Sequence, residues 1–366
     1  MTVLLTIDDR SFATREHTLL RRLEVGFADE GWHVLHAAPE SFAEAAQISL
    51  AQVIEYDPHA PFASAHWRAT RLIERIDSLG LTQMPSIIHA WGDRSWSLAL
   101  HCAAMLGIPA VFEVWAQRLV PTLKRWERRV LRSHTIGPIL WSTPSLLLLR
   151  QIDHADTRFP SRNIHWGTYV ESRPRSPARS DQRALAILST GTEPDTVCAA
   201  LKAIGAMRKD IPRLLVLLDE TAVAHHHKKV WGTIRAESLT DCTTIVSDME
   251  TRRDIVMQAD VLIQPEATGE VRSITLDALA HAMLVLARRD PAVDTLAGDG
   301  PAILVDDPSQ RGWEQALTVA LNDHHREERR AIAGQQFIAS SRTVSAHVTQ
   351  LLEIYEGLFA KIDGPV

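Results

Sequence analysis

Between Ala259 and Leu286 the chain reads ADVLIQPEATGEVRSITLDALAHAMLVL, and the residue types and spacing there fit the binding of phosphate. A short apolar strand, Val261 to Gln264, leads through a turn containing Pro265, Gly269 and Glu270 into a helix that begins near Ser273. The first amides of a helix lack intrahelical partners, and the helix dipole is positive at that end, so such a junction favours an anion. Arg272 stands just before the helix, where its guanidinium has the reach and geometry to pair with a phosphate. Ser273, Ile274 and Thr275 form the first turn, two of them with hydroxyls that can donate to an anion or cap the helix. Asp277 follows as a carboxylate acceptor.

These residues need a frame, and the chain alternates strand and helix throughout. In the first half, strands are expected at Val3–Ile7, Trp32–Ala37, Gln52–Tyr56, Ser86–Ala90, Ala110–Val114 and Ile139–Trp141. Helices at Arg15–Glu30, ending at Gly31, and at Ser95–Leu106, closing at Gly107, separate some of them. Ser172–Asp181 contains two prolines and no large apolar residue, so it reads as a linker. Alternation then resumes with strands at Ala184–Leu188, Arg213–Leu218, Thr243–Val246 and Ala302–Val305, and helices at Asp195–Arg208, Lys228–Ala236 and Thr251–Gln258. Val344–Phe359 places Val344, Val348, Leu351, Leu352, Tyr355, Leu358 and Phe359 at helical spacing. Two parallel sheets covered by helices follow from this pattern, with ligands beyond the strands' carboxyl ends and a cleft between the sheets.

The first sheet's carboxyl ends carry Asp8, Asp9, His89, Trp91, Gly92, Asp93, Glu113 and Trp115, a polar and aromatic set. His89 reads either as a ligand contact or as a core histidine bonded to backbone, and Glu113 as a buried salt-bridge partner. Asp8, Asp9 and Arg10 are suited to capping the first helix. Trp91, Trp96 and Trp115 have faces that can stack on sugar rings or fill a core. Arg252 and Arg253 read as surface charges before a helix. His225-His-His227 offers imidazoles, but consecutive residues seldom face one ion, so no metal site is expected.

At 366 residues the chain exceeds one comfortable core. It carries 39 Lys and Arg against 45 Asp and Glu, a net charge of -6, which gives no general attraction to nucleic acid. Cys102, Cys198 and Cys242 lie far apart and make no C-x-x-C pair, so a reducing cytoplasm is expected rather than a disulfide framework. No segment approaches the about 20 apolar residues that span a bilayer, which leaves peripheral membrane contact open. The G-x-G-x-x-G, P-loop and G-x-S-x-G motifs are absent, which argues against dinucleotide dehydrogenases, P-loop ATPases and α/β hydrolases.

The block PEATGEVRSITLDALAHAM, the segment AGDGPAILVDD at Ala297–Asp307 and the Tyr-bearing last helix resemble the retaining glycosyltransferases of family four, which have the GT-B fold. IIHAWGDRSWSLALHCAAMLGIPAVFEVW at Ile87–Trp115 and NIHWGTYV at Asn163–Val170 are similar to the family's N-terminal strand–helix–strand and interdomain segment. The resemblance implies an α/β protein of two doubly wound Rossmann-like domains facing across a cleft. The acceptor domain would be 1–171, the linker 172–181, the nucleotide-sugar domain 182–340, and the helix in 341–366 would cross back to the first domain. It implies a metal-independent, retaining hexosyltransferase that needs no cofactor beyond a nucleoside diphosphate sugar donor. The acceptor would be a carbohydrate, lipid-linked or small-molecule hydroxyl.

Laid on the family's Pro-Ser-x-x-Glu-Gly-x-Gly-x-x-x-Leu-Glu-Ala-Met-Ala-x-Gly block, Asp277 takes the place of the second glutamate, which implies a ribose contact. Glu270 falls one position after the first glutamate, which implies a place near the donor sugar. Arg272 and the Ser273–Thr275 turn would hold phosphate, and His89 would face the reaction. The family's Gly-Arg and Lys-Gly cations are replaced by Ser189-Thr-Gly-Thr-Glu-Pro194, so of that loop only Gly191 is counted with the donor-binding residues. This loss of cations keeps a second reading open, a non-catalytic GT-B protein that binds carbohydrate or acts as a scaffold.

Overall fold

The computed structural model describes residues 3–39, 51–57, 64–133, 137–171, 182–224, 226–298 and 300–361. The linker expected at Ser172–Asp181 lies outside them. The chain divides into two compact units, 1–166 with 344–366, and 167–343.

Unit one is built on a seven-stranded sheet: β1 (Val3–Ile7), β2 (His33–Pro39), β3 (Gln52–Tyr56), β4 (Ile87–Ala90), β5 (Ala110–Glu113), β6 (Ile139–Thr143) and β7 (Ser161–Asn163). The order is β3-β2-β1-β4-β5-β6-β7. All pairings are parallel, with Leu5 opposite Leu35 on one side and Ile88 on the other. β1, β4, β5 and β6 are buried at every position, as expected for strands covered on both faces. Its helices are α1 (Arg10–Asp29), α2 (Ala65–Ser78), α3 (Trp96–Leu106), α4 (Val120–Ser133) and α5 (Leu146–His154). α3 closes on Gly107, whose φ of 67° suits a residue without a Cβ.

Unit two has a six-stranded sheet: β8 (Gln182–Ile187), β9 (Arg213–Asp219), β10 (Thr243–Val246), β11 (Val261–Gln264), β12 (Leu284–Arg288) and β13 (Ile303–Val305). The order is β10-β9-β8-β11-β12-β13, again parallel throughout. Its helices are α6 (Pro194–Met207), α7 (Glu220–Ala224), α8 (His227–Ala236), α9 (Arg253–Val256), α10 (Ser273–Ala280), α11 (Gln310–Leu321) and α12 (His324–Ser341). Leu185, Ile187, Leu201, Val216, Ile263 and Trp313 belong to one buried cluster between sheet and helices.

The chain then returns to unit one as α13 (Val344–Phe359), the span that the apolar periodicity predicts. Val344, Val348, Leu351, Tyr355 and Leu358 are buried, with Leu352 and Phe359 half-buried. Tyr355 stacks on Phe27 of α1 and lies beside Trp32, at centroid distances of 6.0 and 5.6 Å. Among the described residues, no helix is long and apolar enough to cross a membrane.

Three local expectations are corrected. α1 starts at Arg10 rather than Arg15, because Asp9 caps it by accepting the Phe12 N–H at 2.9 Å. The helix expected over Thr251–Gln258 contracts to α9, because Thr251 is held in a turn by its own N–H and hydroxyl donating to the Asp248 carbonyl at 2.9 and 2.8 Å. β7 was not anticipated: Ser161, Arg162 and Asn163 carry no apolar pattern and form a strand only by pairing with β6.

Candidate functional site

Each sheet reverses its order once, between β1 and β4 in unit one and between β8 and β11 in unit two. Open α/β sheets bind ligands beyond the carboxyl ends of the strands at such points. In unit two the strands there empty into loop 189–193 and the turn 265–272.

The turn delivers Arg272 to the N-cap position of α10, where its side chain makes no capping bond. Its Nε instead donates to Glu250 Oε1 at 2.7 Å, and the side chain is buried. Burial works against that charge, but Glu250, Asp219 and Glu270 outweigh it and raise the guanidinium's pKa further. Gly269 adopts φ 67°, and its N–H donates to Asp290 at 2.7 Å, which fixes the turn beside β12. Asp290 also accepts from the Ala292 N–H at 2.9 Å, and burial pushes its carboxyl up. Glu270 lines the same small cavity as Arg272, Gln264, Glu266, Thr268 and Asp290; its volume, about 10 Å³, is near the room one water needs.

A second arginine reaches the same helix turn. Arg253, expected on the surface, is 7% exposed. Its Nη2 donates to Ser273 Oγ at 2.8 Å, its Nε to the Glu250 carbonyl at 2.9 Å, and its Nη1 to Asp277 Oδ2. Asp277 Oδ1 accepts from Thr168 Oγ1, so both carboxylate oxygens are engaged and the residue is 1% exposed. Arg252, by contrast, is exposed as expected. Ile274 and Thr275 are buried in the same turn, and Thr275 Oγ1 accepts from Gln264 Nε2.

Gly191 lies in loop 189–193 with φ 72°, its N–H donating to Ser189 Oγ at 3.0 Å. The structure therefore places Gly191 in loop 189–193, Glu270 and Arg272 in the turn after β11, and Ser273, Ile274, Thr275 and Asp277 in helix α10, which follows that turn.

His89 belongs to unit one and is fully buried. Its Nδ1 shares a hydrogen bond with the Tyr355 hydroxyl at 2.7 Å, and its Nε2 lies 3.4 Å from Glu113 Oε2. Glu113 Oε1 accepts the Trp166 indole N–H at 2.8 Å, and His89 stacks on Trp91 at 4.0 Å. Burial lowers the imidazole's pKa against the pull of Glu113. Trp91, Trp96 and Trp115 are buried in this core. Phe12 contacts Trp91, Trp115 and Trp166, so aromatic rings fill the space behind the carboxyl ends of β4 and β5. Of the histidine run, His225 lies outside the described residues, His226 precedes α8 and His227 opens it.

No protein-family model matches the sequence, and no curated protein is recognisably similar to it. Solved structures are. Sucrose-phosphate synthase from Thermosynechococcus elongatus superposes with a TM-score of 0.76 at 13% identity, over 99% of this chain and 100% of that one. This is the GT-B fold. A glycosyltransferase from Rickettsia africae gives a TM-score of 0.73 at 12% identity over 98% of both GT-B chains. Anabaena HepE, solved with UDP and glucose, gives 0.74 at 11% identity over 98% of this chain and 100% of its own.

Within this GT-B chain, sequence reasoning missed Arg253, Glu250 and Glu266. Arg253 opens a helix of only four residues, and Glu250 carries no motif of its own. Glu266 had one available signal: it puts a charge directly after Pro265, where the resembled block has serine.

Proposed function

We propose that the chain is a divergent family-four glycosyltransferase that moves a sugar from a nucleoside diphosphate sugar to an acceptor hydroxyl, with retention and without a metal. The observation that carries this reading is a pair of buried arginines at the start of α10: Arg253 bonds Ser273 of its first turn, and Arg272 is its N-cap residue. Two guanidiniums at the positive end of a helix form a pre-organised site for the charge that develops on a departing diphosphate. They stand in for the cations that loop 189–193 lacks. The GT-B fold supports the reading, as do relatives of that fold solved with UDP and with UDP-glucose.

In this account Arg272 faces the phosphates and Glu270 lies nearest the donor sugar. The Ser273–Thr275 turn contributes its dipole. Asp277 holds Arg253 in place; a direct ribose contact by Asp277 would require Thr168 or Arg253 to yield. His89 acts from within the core by fixing Tyr355 and Trp91 behind the acceptor-side strand ends. The three cysteines are free, in keeping with a cytoplasmic enzyme.

A second reading, a GT-B protein that binds carbohydrate without transfer, is favoured by one observation: both arginines are already neutralised, by Asp277 and Glu250. Incubation of the full chain with UDP-, GDP- and ADP-sugars and mixed acceptors separates the two. Release of free nucleotide that depends on acceptor supports transfer, while its absence with every donor supports the binding protein.

A further inference from the structure

Loop 189–193 closes around a single carboxylate. Glu266 Oε1 accepts the N–H groups of Thr192 and Glu193, each at 2.8 Å, and the Thr192 hydroxyl at 3.4 Å. Its Oε2 accepts the hydroxyls of Ser189 at 3.1 Å and Thr190 at 2.9 Å, together with the Thr190 N–H. The loop can aim these groups inward because Gly191 takes φ 72°, a conformation side chains disfavour. Successive main-chain N–H groups converging on one point form an anion nest.

Here the nest has an occupant from the same chain. Glu266 is 7% exposed and comes from the turn after β11, far from the loop in sequence. Burial works against its charge, but the loop's amides and hydroxyls prevail and hold the carboxyl below its ordinary range. α6 depends on this arrangement, because its own N-cap residue, Glu193, makes no side-chain cap and pairs with Arg288 instead.

We infer that loop 189–193 is an anion site occupied by Glu266, and that Glu266 thereby confines a ligand's phosphates to the Arg272 end of α10. A phosphate entering the loop would meet a carboxylate that already uses its donors, and two anions cannot share them. The inference deepens the sugar-transfer reading and rests on it for the identity of the ligand alone; the occupied nest stands without it.

The test is thermal denaturation of the full chain with inorganic phosphate titrated against chloride at matched ionic strength. Glu266→Ala vacates the nest, so phosphate is expected to raise its midpoint by several degrees more than the wild type's, because a ligand that binds only the folded state stabilises it. Glu266→Gln keeps an acceptor oxygen and is expected to respond less. A midpoint for Glu266→Ala that phosphate moves no more than the wild type's overturns the inference, since a purely structural staple would lose stability without gaining a response to anions. If Glu266→Ala does not fold in either salt, Glu266→Gln decides by the same criterion. Inorganic phosphate carries no sugar, so this outcome is separable from that of the transfer assay.

Discussion

Arg253 and Asp277 form a buried ion pair that ties the short helix α9 to α10, with Thr168 closing the other side of the carboxylate. Removing one partner of such a pair leaves an uncompensated buried charge, which costs about 3–5 kcal/mol. Arg253→Met and Asp277→Asn are each expected to lower unfolding free energy in urea on that scale, and the double variant by less than the sum of the two. Fully additive losses would show that the pair is not energetically coupled.

Arg272→Ala is expected to weaken nucleoside diphosphates about 10- to 100-fold, the range of a lost charge-assisted hydrogen bond, while nucleosides lose little. Calorimetric titration of both ligand types measures the difference. Equal losses for the two would trace the effect to disturbed packing around Glu250 rather than to a phosphate contact.

His36 is buried between two carboxylates, with Nδ1 3.1 Å from Glu24 and Nε2 3.3 Å from Asp8. Burial opposes its charge, but Asp8 and Glu24 prevail and raise it to about 10. A histidine raised on folding stabilises the native state fully below its unfolded pKa near 6.5, and that contribution fades as pH rises toward 10. Unfolding free energies in urea are expected to fall across this window, by at most about 1.4 kcal/mol per pH unit for one proton, with a flatter profile in His36→Gln. A wild-type profile level from pH 6.5 to 10 would contradict the charged triad.

At the reversal point of unit one, Asp9 accepts the Phe12 N–H through Oδ1 and the Arg94 N–H through Oδ2, both at 2.9 Å. A Cβ on Gly92 would overlap Asp9 Oδ2 and lie 2.8 Å from the Asp9 backbone nitrogen. Gly92→Ala must therefore displace the cap of α1, and a lost cap costs about 1–2 kcal/mol. A melting temperature unchanged from wild type would show that the loop relaxes without losing the cap.

How far the sequence revealed this structure depended on the range of the interaction. Val261–Gln264, Thr243–Val246, Gln52–Tyr56 and the span Val344–Phe359 have the observed limits, because short stretches rich in β-branched and apolar residues, or helical spacing, are local signals. The strand–turn–helix around Arg272 was legible for the same reason. Arg253 was not, since its burial depends on Asp277 and Ser273, which come from another helix. Glu266 read as one more turn residue until the chain brought loop 189–193 around it. His36, Asp8 and Glu24 come from a strand, a loop and a helix, and each alone is an ordinary charged residue. Local pattern records which face is buried; the pairing of buried charges is decided by the packing of distant segments.

If the chain transfers sugar, α10 and its two arginines hold the diphosphate of a sugar donor. Calorimetric titration of the full chain with UDP, GDP, ADP and their sugar conjugates, repeated on Arg272→Ala, tests this most directly. The expected result is saturable binding of one nucleotide and its conjugate, with affinity lost on substitution of Arg272. Absence of binding by every nucleotide at millimolar concentration, in a chain shown to be folded, would contradict it.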